Sequence, residues 1–304
     1  MNFKYKDVGK RLSNRGRWGN DDERGTLNHV TPERVIASTA SVRSGRPFEL
    51  SIPVSSDGPQ NGAGNRHNPI HLMNIMPPDF ETPDNIVIAD DYIVMPLQSG
   101  THWDSLAHVG YDNEIYNGVS ASTIHTLGGA SRNAIDKTLP GMVGRGVLLD
   151  IARLHDRQWL EAGHGITPDD LEEAEKAAGV QVGPGDALLF RTGWRQKALA
   201  EGWDGWLTSE PGLTPECADW LYEREVATVA SDNWGIEVQP ASDGFLPLHC
   251  VLIRDMGMML GENFDLEALA DDCASDGQYD FQFIAPPLRI EGGTGSPTSP
   301  IAIK

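Results

Sequence analysis

The segment LQSGTHWDSLAH, residues 97–108, concentrates side chains that can bind a metal ion, at Gln98, His102, Asp104 and His108. Alternate residues of an extended chain point to the same side, so a strand that starts after Gly100 would bring His102 and Asp104 together. An amide oxygen, an imidazole and a carboxylate form a mixed nitrogen and oxygen site that suits Mn²⁺ or Zn²⁺. The segment predicts a metal centre, with ordinary loop hydrogen bonds as the alternative role for these side chains.

Downstream of this segment, predicted strands and helices alternate. Residues 147–151, 187–191 and 226–231 are apolar runs of the length expected for buried strands. Thr167 and Thr214 are each followed by Pro and an acidic residue, a combination that marks the first turn of a helix. Alternation of this kind indicates an α/β fold.

The two ends of the chain show less regular patterns. The first ninety residues are rich in Gly, Pro and Asn, with one short helix predicted over residues 32–42 and capped by Thr31. Residues 55–83 have the composition of long surface loops. Residues 279–290 predict an extended strand, and Pro286 and Pro287 restrict that part of it to an edge or a break.

The composition limits the classes of partner and compartment. The 44 acidic and 24 basic side chains give a formal net charge of -20, which repels nucleic acids and anionic membranes. The three cysteines are scattered, and no apolar run reaches the length of a membrane span, about 18 residues. We therefore expect a cytoplasmic protein that acts on a small molecule, without nucleic-acid or membrane partners.

The central segment also resembles the HxGTHxDxPxH signature of the cyclase-like metal-dependent hydrolases, a family that includes kynurenine formamidases and isatin hydrolases. Five positions match the signature, namely Gly100, Thr101, His102, Asp104 and His108. Gln98 stands where the family has its first His, and Leu106 stands where it has Pro.

The resemblance continues over most of the chain. Similar motifs occur at Pro247-Leu-His249, Gly261-Glu-Asn263 and residues 292–297, and residues 18–19, 25–28 and 231–234 look like those of a longer-chain branch. The family fold that this implies is a swivelling β/β/α domain, an α/β architecture with a mixed sheet core and flanking helices. We expect one such domain over residues 1–304, with residues 1–90 as a loop-rich extension that packs on the core or on a partner subunit. A homo-oligomer, dimer or tetramer, is the expected assembly.

The resemblance also implies a role for each matching residue. It assigns the metal ligands to Gln98, His102, Asp104, His249 and Glu262, the last two belonging to a second metal site where one exists. It makes His108 the group that transfers protons. Three aromatic side chains are candidates for the walls around a flat substrate ring, namely Trp103, Trp234 and Phe80.

These roles predict a metal-dependent hydrolase that opens a cyclic amide, imide or lactone or cleaves an aryl formamide. A divalent metal lowers the pKa of bound water and so supplies hydroxide at neutral pH, with His108 as proton shuttle. One alternative is a polyketide-type cyclase at the same metal, which would not add water to its substrate. The other is a non-catalytic binding protein, which the departures at Gln98 and Leu106 would favour.

Overall fold

The computed structural model describes residues 4–77 and 83–304. Its strands are β1 (Pro47–Glu49), β2 (Ile70–Ile75), β3 (Asp90–Val94), β4 (His102–Asp104), β5 (Glu114–Ile115), β6 (Val119–Ser120), β7 (Ile124–His125), β8 (Gly129–Ala130), β9 (Met142–Asp150), β10 (Gly165–Ile166), β11 (Ala187–Arg191), β12 (Gly212–Leu213), β13 (Thr228–Ser231), β14 (Met259–Glu262), β15 (Asp280–Ala285), β16 (Gly295–Pro297) and β17 (Ile301–Ile303). Its helices are α1 (Tyr5–Arg11), α2 (Pro32–Ser38), α3 (Ile151–Leu154), α4 (Pro168–Ala178), α5 (Trp194–Glu201), α6 (Cys217–Glu223), α7 (Pro247–His249), which continues as a π-helix (Cys250–Met256), and α8 (Glu267–Asp276).

Nine strands form one mixed sheet in the order β1–β17–β15–β9–β11–β13–β14–β4–β16. The central strands β9, β11, β13 and β14 run parallel, because helices cross between them. The outer strands on both sides pair antiparallel. The prediction of a mixed sheet with flanking helices is therefore confirmed.

Both faces of the sheet are covered, which explains why its central strands are apolar throughout. In β9, Val147 and Leu149 pack in a cluster with apolar residues of α4 and α6. The intervening Leu148 joins a second cluster that contains residues of α8 and the aromatic rings of β15. Successive residues of a strand point to opposite faces, so one apolar run supplies both layers of the core.

Several predicted boundaries agree with the structure. Thr31 caps α2 by accepting from the backbone N–H of Arg34, and Thr167 begins α4 in a reciprocal cap with Asp170. Helix α2 is shorter than predicted and ends at Ser38. The strand predicted over residues 279–290 ends at Ala285, before the two prolines.

The prediction of loops alone over residues 55–83 is wrong, because β2 lies within that range. This strand pairs antiparallel with β3 in a separate two-stranded ribbon. Its sequence, IHLMNI, has no clean alternation of apolar and polar residues, and the surrounding Gly and Pro residues masked it.

The sheet topology gathers charged residues at one edge. The four parallel strands all end at the same side of the sheet, where Asp150, Arg191 and Glu262 are the last residues of β9, β11 and β14. Strand β4 runs antiparallel to β14, and the register places His102 opposite Glu262. The carboxyl ends of parallel strands are the common position of ligand sites in α/β sheets.

Candidate metal centre

Three side chains of β4 and β14 form a buried cluster. The Nε2 atom of His102 lies 3.2 Å from Glu262 Oε2 and 3.5 Å from Asp104 Oδ1. One potential ligand atom from each residue lies within 4.8 Å of the other two, and all three side chains are buried. The convergence of His102 and Asp104 follows from the alternation of the strand, as the sequence predicts.

The atoms that face the centre of this cluster have no hydrogen-bond partners. Within the described residues, His102 Nε2 and both carboxylate oxygens of Asp104 are buried and unpaired by hydrogen bonds. The short distances between these groups are ion-pair contacts without hydrogen-bond alignment. Buried polar atoms are nearly always satisfied in folded proteins, so these atoms fit a site that holds a ligand. An imidazole with two carboxylates is a donor set for Mn²⁺ or Zn²⁺.

The orientation of His102 is fixed from its other nitrogen. Its Nδ1 donates to the carbonyl oxygen of Gly100 at 2.8 Å, which leaves Nε2 directed at the carboxylates. Burial lowers the pKa of His102, but Asp104 and Glu262 outweigh burial and raise the pKa to about 9. Burial raises the pKa of Glu262, and His102 and His249 together bring it well below its usual range. Negative charge therefore dominates the cluster and favours a cation.

His249 lies between two carboxylates. Its Nδ1 is 2.5 Å from Glu237 Oε1, and its Nε2 is 3.0 Å from Glu262 Oε1. Glu237 also accepts from the backbone N–H groups of Leu248 and His249, so it caps the start of α7. Burial lowers the pKa of His249, but the two carboxylates hold it well above the ordinary value.

His108 lies at the opening of the cluster. Its Nε2 is 3.5 Å from Asp104 Oδ1 and 3.5 Å from the guanidinium of Arg66, and its side chain is 20% exposed. Burial lowers the pKa of His108, and the positive charge of Arg66 adds to this effect, so the neutral imidazole is favoured. Gln98 contacts His108 rather than His102, with its Nε2 3.5 Å from His108 Nδ1 and 3.5 Å from Thr294 Oγ1.

A small cavity of about 30 Å³ opens beside the cluster. Its lining comprises Arg66, Asp104, His108, Glu210, Trp234, Gly235, Gln239, Leu246, His249 and Glu262. Glu210 is only 1% exposed, and burial together with the charge of Glu262 raises its pKa well above the ordinary value. The cavity thus joins the candidate metal ligands to further charged and aromatic groups.

The three aromatic candidates have different positions. Trp234 lines the cavity, with the Arg66 guanidinium 5.9 Å from its ring centre. Trp103 is fully buried on the opposite face of β4, where it packs against Phe264 and donates to the carbonyl oxygen of Ala285. Trp103 therefore does not line the site, contrary to the expectation from the sequence, because successive residues of a strand point to opposite faces of the sheet. Phe80 lies outside the described residues.

Three charged residues near the cluster were not among the candidates from the sequence, namely Arg66 and Glu210, which line the cavity, and Glu237, which contacts His249. Glu237 follows β13, a position typical of functional carboxylates, but it was equally consistent with a turn cap. Glu210 comes two residues before strand β12, Arg66 lies in a Gly-rich segment, and no motif distinguishes either one. Their proximity to the cluster depends on long-range folding that local patterns do not encode.

Within residues 4–77 and 83–304, the structure contains no helix with the length and apolar character needed to span a bilayer.

Comparison with known proteins identifies the family. The model of the family described as "Putative cyclase" matches residues 48–238. Isatin hydrolase from Roseibium aggregatum is 26% identical over 250 residues, which cover 75% of this chain and 85% of that protein. A crystal structure described as a novel cyclase is 39% identical, with a TM-score of 0.89 over 96% of this chain and 100% of its own. Isatin hydrolase A from Ralstonia solanacearum is 21% identical, with a TM-score of 0.63 over 90% and 97% of the two chains, and shares the fold.

The family model covers well over half of the chain, and its matched range contains His102 and Asp104 of the buried cluster. The chain therefore belongs to the putative cyclase family, a cyclase-like hydrolase family that includes isatin hydrolase.

Proposed function

We propose that this protein is a metal-dependent hydrolase that opens a cyclic amide, imide or lactone or cleaves an aryl formamide. The buried cluster of His102, Asp104 and Glu262, with its unpartnered ligand atoms, is the observation that carries this proposal. The sequence relationship to a hydrolase that acts on isatin, a cyclic amide, supports the reaction class.

In this proposal His102, Asp104 and Glu262 are the principal ligands of one Mn²⁺ or Zn²⁺ ion. Such an ion, when bound, polarises a carbonyl group and makes water nucleophilic at neutral pH. His249 is a further ligand through Nε2, or it orients Glu262 if only one ion binds. Gln98 is the least direct of the proposed ligands, because its amide lies beside His108 and Thr294.

His108 is the proposed catalytic base and acid. It lies at the cavity opening next to Asp104, and its lowered pKa keeps the ring neutral and able to accept a proton near pH 7. After accepting a proton from the attacking water, the imidazole can return it to the departing nitrogen or oxygen. Arg66 lies near enough to repel the resulting positive charge, which favours this return.

Trp234 is the proposed wall for a flat substrate ring, because among the Trp, Tyr and Phe residues of the described chain it is the one that lines the cavity. Substrate contact by Phe80 stays a prediction from the sequence. The enclosed space is small, about 30 Å³, so we expect the surrounding loops to open when a ring enters.

A polyketide-type cyclase reaction is the second candidate, and the description of the matching family as a cyclase favours it. The same residues would bind a carbonyl substrate in that reaction. Hydrolysis adds the mass of one water to the substrate, whereas cyclisation does not. Mass spectrometry of the product separates the two reactions.

We also propose a homo-oligomer, with residues 1–90 as an extension of the single hydrolase domain over residues 1–304. The ribbon formed by β2 and β3 supports this assembly. Its register aligns Ile70 with Val94 and Leu72 with Tyr92 on one face, and these four side chains are 45–57% exposed. Exposed apolar surfaces of this kind commonly mark protein contacts. A light-scattering mass equal to that of one chain would argue against the homo-oligomer.

The cytoplasmic location stays a prediction from the sequence. The three cysteines are buried and free, which is compatible with a reducing compartment.

The test of the proposed function is metal analysis of protein purified without a chelator, together with assays on a panel of lactams, imides, lactones and aryl formamides. We expect near-stoichiometric Mn or Zn and hydrolysis of at least one compound, with both lost in His102→Ala. Protein that binds neither Mn²⁺ nor Zn²⁺ when these are supplied would contradict the proposal and favour a binding protein.

A further inference from the structure

Glu210 is a buried carboxylate that the proposed mechanism does not use. It follows the loop after α5 and is 1% exposed at the wall of the cavity. Its backbone exchanges two hydrogen bonds with Gln239, at 3.0 and 3.1 Å. Its Oε2 atom accepts from the backbone N–H groups of Trp234 at 2.9 Å and Gly235 at 3.3 Å. The side chain is therefore held in place from both ends.

The second carboxylate oxygen has no such support. Within the described residues, Glu210 Oε1 is buried and has no hydrogen-bond partner. A Cβ atom at Gly235 would lie 2.9 Å from Oε1 and 3.9 Å from Glu262 Oε1, so the glycine keeps the space between these two carboxylates open. Burial and the charge of Glu262 raise the pKa of Glu210 in the metal-free protein, whereas a cation bound at the neighbouring cluster would favour the ionised carboxylate. In that form the buried Oε1 atom can only accept, so it is stabilised when a donor occupies the open space.

Glu210 does not belong to the cluster that would hold the ion. The group of residues with mutually close ligand atoms consists of His102, Asp104 and Glu262, and Glu210 is not part of it in the described structure. Glu210 instead lines the cavity next to Gly235 and Trp234. Because Glu210, Asp104 and Glu262 line the same small cavity, we place the substrate carbonyl group at the cluster and the adjacent ring atom next to Oε1 in this inference.

We propose that Glu210 Oε1 accepts a hydrogen bond from a substrate N–H group, so that the site selects cyclic amides and imides over lactones. This inference rests on the proposed hydrolase function and narrows its substrate class. In a lactam the atom next to the carbonyl carries a hydrogen, whereas in a lactone that atom is an oxygen whose lone pairs repel a carboxylate. Sites that use a buried polar group for recognition reject analogues that lack the partner.

The test compares isoindolinone with phthalide, two ring compounds that differ only in N–H against O at this position. Calorimetry with the Mn²⁺-loaded protein measures both dissociation constants. We expect isoindolinone to bind about 10- to 100-fold more tightly, the range for a hydrogen bond to a charged group. Equal binding, or tighter binding of phthalide, would overturn the proposal, and the latter would mean that Glu210 acts as a donor.

Variants separate recognition from a structural role. In Glu210→Gln the amide oxygen keeps the two backbone N–H groups, and the amide nitrogen turns a donor toward the cavity. The preference should then reverse in favour of phthalide, while Glu210→Leu should bind the two compounds equally. If either variant keeps the parent's preference for isoindolinone over phthalide, the proposal is contradicted. Glu175→Gln is the matched control, because Glu175 is also buried and accepts from a backbone N–H, at Val182, remote from the cavity.

The outcome is independent of turnover. If the metal-loaded protein hydrolyses nothing but binds isoindolinone preferentially, the proposed function fails and the recognition role of Glu210 stands. If it hydrolyses lactams and lactones with equal kcat/KM and binds them equally, the proposed function stands and the inference fails.

Discussion

Two buried charged clusters lie at the same edge of the sheet and differ in how their atoms are satisfied. At the end of β11, the Arg191 guanidinium forms two hydrogen bonds with Glu267, at 2.8 and 3.0 Å, and one with Asp150 at 2.9 Å. Its remaining contact is with the carbonyl oxygen of Gln158. At the end of β14, by contrast, His102 and Asp104 direct unpartnered atoms at one another.

The larger cavity of the two lies next to the satisfied cluster. A space of about 470 Å³ borders Arg191 and Glu267, against about 30 Å³ beside the candidate metal centre. Within the described chain, no buried side-chain atom of Arg191, Asp150 or Glu267 lacks a partner. The larger cavity therefore does not mark the candidate metal centre, whereas buried side-chain atoms without hydrogen-bond partners do. We infer that the Arg191 cluster is structural and that the His102 cluster holds a ligand.

The largest expected effect follows from removing a ligand of the candidate metal centre. Asp104→Asn keeps the size of the side chain but removes its charge. Turnover should fall by about 10⁴-fold or more, because a bound metal contributes several kcal/mol to the stabilisation of the transition state. Metal content after gel filtration should fall in parallel. A variant that keeps its metal and its kcat would show that Asp104 is not a ligand.

The matched change in the other cluster is Arg191→Met. It leaves Asp150 and Glu267 without their shared cation, so the free energy of unfolding should fall by about 3–5 kcal/mol. Metal content and kcat per folded molecule should stay at parent values. If this variant lost its metal at a temperature where it remains folded, the Arg191 cluster would not be purely structural.

The next effect concerns His108, which faces the cavity but is not needed to hold the ion in our proposal. His108→Ala should lower kcat by about 10²- to 10³-fold, the usual contribution of a general acid and base. The metal content should remain stoichiometric, which separates this variant from Asp104→Asn. Near-normal turnover would show that His108 does not transfer protons in the reaction.

A smaller effect is expected at Glu237, which acts through His249. Glu237→Ala should reduce metal affinity by about 10- to 100-fold, because carboxylates that orient a ligating imidazole have effects of this size. Glu237→Gln retains an oxygen for His249 Nδ1 and should restore most of the affinity. Calorimetric titration with Mn²⁺ measures both variants. An equal loss in Gln and Ala would indicate that the charge of Glu237, rather than the orientation of His249, matters.

The sequence predicted the part of the site that lies on one strand. His102 and Asp104 are two residues apart, and the alternation of a strand is enough to bring them together. The same rule places Trp103 on the opposite face, away from the site. Glu262 and His249 came from the family resemblance, because no local pattern connects them with β4.

The rest of the site depends on contacts between distant segments. Glu210 reaches the cavity through its pairing with Gln239, and Arg66 reaches it from the loop before β2. The parallel sheet was predictable from apolar runs of about five residues. Its order was not, since β4 joins the sheet next to β14, far away in sequence. Tertiary pairing, rather than residue type, decides which charged groups line the cavity.

The smallest effect we predict is on pH dependence, and it again separates the clusters. The pKa of His102 in the metal-free protein is raised from 6.5 to about 9, so its proton persists where a free histidine would have lost it. The stability that this charged imidazole contributes is fully present below pH 6.5 and is lost as the pH rises through about 9. Because metal must replace this proton, affinity for Mn²⁺ should rise about tenfold for each pH unit up to that value.

Calorimetry at three pH values below 9 measures this slope, with Glu262→Gln as the comparison. That variant removes one of the two carboxylates that raise the pKa of His102, so its affinity should be weaker but should depend less on pH above neutrality. The Arg191 cluster provides the control, because a guanidinium keeps its charge throughout this range and Arg191→Met should leave the slope unchanged. An affinity that is flat with pH in the parent would mean that His102 is already neutral in the metal-free protein over this range, and would contradict the raised pKa.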